Sequence, residues 1–184
     1  MLLGLISDTH ISREGENLPP QVRGVFNGVD LILHAGDIYL LSVLDELETI
    51  APVMSARGNG DVRLPSDPRL KDSLVLNLQG LRLGLTHGMD YPEPPWRSLE
   101  AAMQYEFGGK VDIIVFGDSH VALTDIFKNV LLINPGSPTF PRQIKELGNV
   151  ALLEISPGGE AKAQIISLAT NLASQTLTYH PHQD

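Results

Sequence analysis

The sequence of 184 residues contains no cysteine, one tryptophan and only 5% aromatic residues. The absence of cysteine excludes disulfide bonds and metal sites built on thiolates. Basic residues are also scarce, since 13 Lys and Arg stand against 22 Asp and Glu and give a formal net charge of −9. Because non-specific nucleic-acid binding depends on a basic surface, we do not expect it for this chain.

Long apolar segments are absent as well. No run approaches the roughly 18 apolar residues of a transmembrane helix. The N-terminal segment MLLGLISDTH is apolar over six residues and has no basic start, so it does not read as a signal peptide. We therefore expect no membrane association and a cytoplasmic protein. Hydrophobic residues make up 42%, enough for a core, and we predict a single domain over residues 1–168 followed by a polar tail over 169–184 that frays.

In the first third of the chain, short apolar segments alternate with segments of helical spacing. Residues 2–7, 31–34 and 52–56 read as buried strands. Residues 19–27, which begin with two prolines, and residues 40–49 read as helices between them. This alternation predicts crossover connections and a parallel arrangement of the strands.

In the remainder of the chain, hairpin patterns replace the alternation. Each predicted hairpin consists of two apolar runs joined by a short turn. The three hairpins cover residues 74–86, 122–133 and 149–167. A helix over residues 97–107 and a buried strand over residues 111–116 lie among them. The fold predicted from these elements is an α/β sandwich of four layers, with two mixed sheets packed face to face and helices outside.

Each buried strand of the parallel pattern, and one strand of the first hairpin, is followed by polar residues. These clusters are Asp8-Thr9-His10, His34-Ala35-Gly36-Asp37, Gly58-Asn59, Thr86-His87-Gly88 and Gly117-Asp118-Ser119-His120. Ligands of open α/β sheets bind beyond the carboxyl ends of strands, so the five loops are expected to converge. Carboxylates, imidazoles and amide oxygens bind divalent cations. Each cluster alone is a common turn or cap, but the ordered set indicates a metal site.

This ordered set resembles the motifs of the calcineurin-like metallophosphoesterase superfamily, from Asp8 to about Arg142. The chain length and the sequence Asn134-Pro135-Gly136-Ser137 look most like its small prokaryotic phosphodiesterase branch. The resemblance implies two divalent metal ions within the sandwich. The ligands it implies are Asp8, His10, Asp37 and His120 for the first metal, and the bridging Asp37 with Asn59, His87 and Asp118 for the second.

The motif that contains Asp118 departs from the family pattern. The usual Gly-His-Thr-His is Gly117-Asp118-Ser119-His120 here, so a carboxylate replaces an imidazole. Because carboxylates favour harder cations, we expect Mn²⁺, with Ni²⁺, Fe, Mg²⁺ and Zn²⁺ as alternatives. With Asp118 ionised, the charges of two divalent cations, the three carboxylates and a bridging hydroxide cancel. A neutral centre attracts a dianionic monoester less, which favours diesters.

The function that the resemblance implies is phosphodiester hydrolysis at a binuclear centre, by a bridging hydroxide that attacks phosphorus. Asp37, Asn59 and His87 are the residues it makes central to catalysis. A monoester phosphatase or nucleotidase on the same site, and a non-catalytic protein-binding scaffold of the same fold, are the alternatives. We expect a small phosphodiester or another small phosphorylated molecule as substrate. A homodimer is compatible with the prevalence of symmetric dimers.

Two further positions near the motifs bear on the chemistry. Many relatives carry His or Cys directly after the motif's Asn, and this chain has Gly60, which cannot donate a proton. The next residue, Asp61, should be ionised at neutral pH, so we expect a preference for esters with acidic leaving alcohols. His34, three residues before Asp37, either orients its loop or is simply packed.

Overall fold

The computed structural model describes residues 1–91 and 93–181. In chain order, the strands and α-helices of these residues are β1 (Leu2–Ile6), α1 (Pro20–Val25), β2 (Leu31–His34), α2 (Leu41–Glu48), β3 (Val53–Ala56), β4 (Leu70–Lys71), β5 (Leu74–Leu78), β6 (Leu81–Leu85), α3 (Leu99–Phe107), β7 (Ile113–Val115), β8 (Leu123–Phe127), β9 (Val130–Asn134), β10 (Asn149–Ile155), β11 (Ala161–Ser167) and β12 (Leu172–Tyr179). None of the described helices is long and apolar enough to cross a membrane.

The strands form two mixed sheets. The first has the order β12-β11-β10-β1-β2-β3-β4, and the second has the order β5-β6-β7-β9-β8. In the first sheet, β1 pairs parallel with β2 and antiparallel with β10. In the second, β6, β7 and β9 are parallel, and β5 and β8 are antiparallel edge strands. The carboxyl ends of β1, β2 and β3 therefore point the same way, as do those of β6 and β7.

The central core lies between the sheets. Buried side chains of β1 and β2, such as Leu3 and Leu33, share one cluster with those of β6 and β7, such as Leu83 and Val115. A second cluster packs α1 and α2 on the outer face of the first sheet, and a third packs α3 on the second sheet. The predicted sandwich of two face-to-face sheets flanked by helices is confirmed.

The helices begin and end where local chemistry allows. Helix α1 starts at Pro20. Proline suits this position because an N–H in the first turn would have no acceptor within the helix. In α3, the Ser98 hydroxyl accepts a hydrogen bond from the Ala101 N–H at 3.2 Å, and Gly108 closes the helix with φ 68°. A hydroxyl at the first cap and a left-handed glycine at the last are the preferred ends of an α-helix.

The expected fraying of the tail is wrong for Leu172–Tyr179. These residues form β12, which pairs antiparallel with β11, and Tyr179 is buried with its hydroxyl donating to the Asn129 carbonyl at 3.1 Å. Most side chains of β12 are exposed, so the segment lacks the apolar pattern that predicts a strand. The predicted boundary at residue 168 stays a prediction, and residues 182–184 lie outside the described part of the chain.

Candidate metal centre

Loops from both sheets meet at one edge of the sandwich. Hydrogen bonds join them: the Asp8 N–H donates to the Gly36 carbonyl at 2.9 Å, and the Gly117 N–H donates to the His87 carbonyl at 2.9 Å. The backbone at Gly117 approaches so closely that a Cβ there would overlap Ser7 Oγ, which explains the glycine. All seven ligands expected from the sequence lie in these loops.

One group of potential ligands consists of Asp8, His10 and His120. The Nε2 atoms of the two histidines lie 3.0 Å apart, and Asp8 Oδ1 is 3.5 Å from His120 Nε2 and 3.8 Å from His10 Nε2. Two ligands that each bind one cation at about 2.1 Å also lie about 3 Å apart. The group could hold one metal ion.

A second group surrounds His87. Its Nε2 lies 2.9 Å from Asn59 Oδ1, 3.6 Å from Asp37 Oδ1 and 3.6 Å from Asp118 Oδ1. The side chain of Asp118 is 57% exposed, whereas those of His87 and Asp37 are buried. Asp118 therefore approaches this group from the solvent side, where its carboxylate has freedom to adjust to a ligand.

Asp37 lies between the two groups. Its Oδ2 is 3.5 Å from His10 Nε2, and its Oδ1 is 3.6 Å from His87 Nε2. Burial raises the pKa of Asp37, and the hydrogen bond from the Gly60 N–H at 2.7 Å opposes that rise. The two oxygens of one carboxylate thus face different groups of ligands, as a bridging residue requires.

The backbone fixes which nitrogen two of these histidines present. His87 Nδ1 lies 2.7 Å from the Ala35 carbonyl, and His120 Nδ1 lies 2.9 Å from the Phe140 carbonyl. Because a carbonyl only accepts, each Nδ1 carries the proton and donates it. Both Nε2 lone pairs are therefore free on the side of the carboxylates, which is the usual state of a histidine that binds metal.

Five of the seven residues adopt the left-handed backbone region that side chains other than glycine rarely occupy. Their φ angles are 53° for Asp8, 48° for His10, 58° for Asp37, 68° for Asp118 and 58° for His120. Such positions cost on the order of 1 kcal/mol each and concentrate at functional sites. Five strained positions therefore lie among the seven candidate ligands.

The residues fit divalent cations. Asp8 Oδ1 is buried and has no hydrogen-bond partner among the described residues, a costly state for a carboxylate oxygen unless a cation meets it. It lies 3.5 Å from Nε2 of His120. Carboxylate, imidazole and amide donors are the ligands that Mn²⁺ and similar cations take.

Asp61 supports the centre in a way that the sequence did not suggest. Its fully buried carboxylate accepts hydrogen bonds from the N–H groups of Asp37 at 2.9 Å, Tyr39 at 2.9 Å and Gly58 at 2.8 Å. It therefore ties the Asp37 loop to the Asn59 loop. Two polar residues at and after the end of β9 act similarly, because Ser137 donates to the Asp8 carbonyl and Asn134 to the Gly117 carbonyl.

His34 lies behind the centre and orients its loop. Its Nδ1 accepts a hydrogen bond from the Gly36 N–H at 3.1 Å, so the proton resides on Nε2, which donates to Thr9 Oγ1 at 3.2 Å. The side chain is fully buried, and burial lowers the pKa of His34 to about 4. The neutral ring is thus part of the folded structure.

The buried neutral His34 predicts acid sensitivity of the metal-free protein. The unfolded chain takes up this proton near pH 6.5 and the folded chain only near pH 4, so acidification favours unfolding. Between these values His34 should remove up to about 1.4 kcal/mol of unfolding free energy per pH unit. His34→Gln cannot titrate and should lose less stability over the same range. Urea denaturation of both proteins with chelator measures the difference, and parallel losses would contradict the assignment.

Residues 1–158 match the family model described as the calcineurin-like phosphoesterase superfamily domain. The chain belongs to that superfamily. A probable metallophosphoesterase of Methanothermobacter thermautotrophicus is 39% identical over 143 residues, which cover 77% of this chain and 80% of that protein. A phosphodiesterase of Methanocaldococcus jannaschii is 26% identical over 151 residues, which cover 74% of this chain and 83% of that protein.

Solved structures share the fold. Vps29 of Entamoeba histolytica in complex with Zn²⁺ matches with a TM-score of 0.75 and 23% identity, covering 98% of this chain and 100% of that one. A predicted phosphoesterase of Streptococcus pneumoniae matches with a TM-score of 0.67 and 22% identity, covering 97% of this chain and 96% of that one. At these identities the likeness establishes the sandwich architecture.

Proposed function

We propose that the chain is a phosphodiesterase that depends on two divalent metal ions. The observation that carries the proposal is the position of Asp37, whose two oxygens face separate groups of ligands. Asp8, His10 and His120 would hold one cation with Asp37, and Asn59, His87 and Asp118 the other. The similarity to a probable metallophosphoesterase and to a phosphodiesterase supports the reaction class.

The residues have separable tasks in this reaction. When bound, two divalent cations supply positive charge for the phosphoryl oxygens and lower the pKa of the attacking water. Asp37 holds both positions together, and the backbone partners of His87 and His120 keep their Nε2 lone pairs aimed inward. Asp61 fixes the loops that carry Asp37 and Asn59. The chain itself therefore provides position and charge rather than a nucleophile.

Asp118 makes Mn²⁺ the proposed metal and a diester the proposed substrate. Its carboxylate adds negative charge beside His87, and a less positive centre loses more affinity for a dianion than for a monoanion. The second position then contains two carboxylates, an amide oxygen and one imidazole, a harder set than the family pattern offers. A small phosphodiester remains the proposed substrate, and the cytoplasmic location and the homodimer stay predictions.

Substitution of Asp118 tests the proposed function. Asp118→His should raise activation by Zn²⁺ relative to Mn²⁺ and should raise the ratio of monoester to diester hydrolysis roughly 3- to 10-fold. Rates with bis(p-nitrophenyl) phosphate and p-nitrophenyl phosphate, measured with each metal, give both ratios. Asp45→His, on the outer helix α2, is the matched control and should leave them unchanged.

Asp118→Ala tests whether Asp118 binds the second cation. If Asp118 binds the second cation, the alanine variant should retain about one Mn²⁺ per chain in elemental analysis after gel filtration, against two for the parent protein. A variant with full metal content and parental ratios would remove Asp118 from the centre. Failure of the Mn²⁺-loaded parent protein to hydrolyse any phosphate ester would overturn the proposed function as a whole.

A further inference from the structure

Tyr39 has a tightly specified backbone beside the candidate centre. It follows Asp37 by two residues and adopts φ 68°, a left-handed conformation that is strained for an aromatic residue. Its N–H donates to Asp61 Oδ1 at 2.9 Å, within the same set of bonds that holds the Asp37 N–H. Strain that the surroundings maintain in this way often marks a residue with a functional position.

The ring of Tyr39 lies beside His10 of the first group and over Gly60. Its centroid is 4.7 Å from that of the His10 ring, at an interplanar angle of 42°. On its other side it covers Gly60, where a Cβ would come within 2.5 Å of Tyr39 Cε2 and 2.8 Å of Cζ. Cζ is the carbon that carries the hydroxyl. The phenol end of the ring therefore occupies the space that any larger residue at position 60 would take.

The same space adjoins the ligands and opens toward solvent. The Gly60 N–H donates to Asp37 Oδ1, so the phenol end of Tyr39 lies beside the carboxylate that faces both groups. The ring also lines a cavity of about 640 Å³, together with Thr9, His10 and Phe140. A phosphate ester that entered this cavity and reached the centre would pass along the Tyr39 ring.

The chemistry of the phenol complements that of the centre. The candidate ligands offer oxygen and nitrogen lone pairs to cations, and the oxygens of a phosphate ester are acceptors as well. A neutral phenol supplies a hydrogen-bond donor at such a place. The ordinary pKa of a tyrosine phenol is about 10, so such a hydroxyl keeps its proton at neutral pH.

We propose that Tyr39 is a catalytic residue whose hydroxyl donates a hydrogen bond to an oxygen of the phosphoryl group at the metal centre. This inference rests on the proposed function. A donor aimed at oxygen atoms on which negative charge develops stabilises the transition state, and the protein environment makes such a bond stronger than it is in water. Gly60 is then the residue that leaves room for this donor.

Tyr39→Phe isolates the hydroxyl because the ring and its contacts remain. With Mn²⁺ and bis(p-nitrophenyl) phosphate, the variant should lose roughly 10- to 100-fold in kcat, the range for a hydrogen bond to a charged group. Calorimetric titration with inorganic phosphate should show a similar loss of affinity for the Mn²⁺-loaded variant. The bound Mn²⁺ and the thermal midpoint should equal those of the parent protein.

Two comparisons make the result decisive. Tyr179→Phe removes a phenol hydroxyl that donates to the Asn129 carbonyl outside these loops, and it should leave kcat and phosphate affinity unchanged. A Tyr39→Phe variant within twofold of the parent protein in both measurements would overturn the proposal, and a loss seen only in Tyr39→Ala would assign the ring a packing role. If the parent protein binds phosphate without hydrolysing esters, the proposed function fails and the phosphate titration still decides the role of Tyr39.

Discussion

Asp37→Asn is expected to lower phosphodiester hydrolysis roughly 1000-fold or more, with loss of both metal ions. Asp37 is the residue whose oxygens face His10 on one side and His87 on the other, so one substitution weakens both positions. The amide keeps the size of the side chain but removes its negative charge and one of its two acceptor oxygens. Elemental analysis and steady-state rates with bis(p-nitrophenyl) phosphate measure the two effects.

Asp45→Asn is the matched control for this substitution. Asp45 lies on α2 and has an exposed carboxylate that pairs with Arg69, which also pairs with Glu48 and Asp67. Its amide variant should retain both metals and the parental rate. An Asp37→Asn protein that keeps two metals per chain, or that hydrolyses the diester at the parental rate, would show that the centre is assigned to the wrong residues.

Asp61→Ala is expected to cause the largest loss of stability among the substitutions near the centre. The carboxylate accepts three backbone hydrogen bonds in a fully buried position, and its removal leaves three N–H groups without that partner. At about 1–3 kcal/mol for each unsatisfied group, the free energy of unfolding should fall by about 3–5 kcal/mol or more. Urea denaturation of the metal-free protein measures this loss without interference from ligand binding.

Asp30→Ala provides the comparison for Asp61→Ala. Asp30 also accepts a backbone hydrogen bond, from the Leu2 N–H at 2.7 Å, but it is exposed. Asp30→Ala should lower the free energy of unfolding by less than about 1.5 kcal/mol, because water can replace the carboxylate as acceptor. If Asp61→Ala destabilises the protein no more than Asp30→Ala does, Asp61 is not the residue that ties the loops together.

Most strands along the chain, and the polar loops that follow them, could be predicted from the sequence, whereas the order of the strands within each sheet could not. Short apolar runs ending in polar clusters give both the strand and its carboxyl end, as for Leu31–His34 and the Asp37 that follows it. The outer strand Leu172–Tyr179 could not be predicted, because most of its side chains are exposed and only pairing with β11 makes it a strand. The strand Leu70–Lys71 is too short to show any period.

The polar interactions that organise the centre were beyond sequence reasoning for a different reason. Asp61 follows Asn59 by two residues, and nothing local shows that its carboxylate turns back to the N–H groups of Asp37 and Tyr39. The protonated nitrogen of His120 depends on the Phe140 carbonyl, which is 20 residues away. Such partners are set by the return of distant loops to one edge of the sandwich, whereas residue type and periodicity report only local preferences.

The distribution of the ligands along the chain has a consequence during synthesis on the ribosome. His10 and His120 are 110 residues apart, and the Asp8 carbonyl accepts its hydrogen bond from Ser137, which is 129 residues further on. Strand β1 also lies between β2 and β10, so its antiparallel partner emerges late. At roughly 5–20 residues per second, several seconds separate translation of Asp8 from that of Ser137. The nascent N-terminal half thus carries Asp8 and His10 before His120 exists, so the proposed cation site can form only after most of the chain has been synthesised.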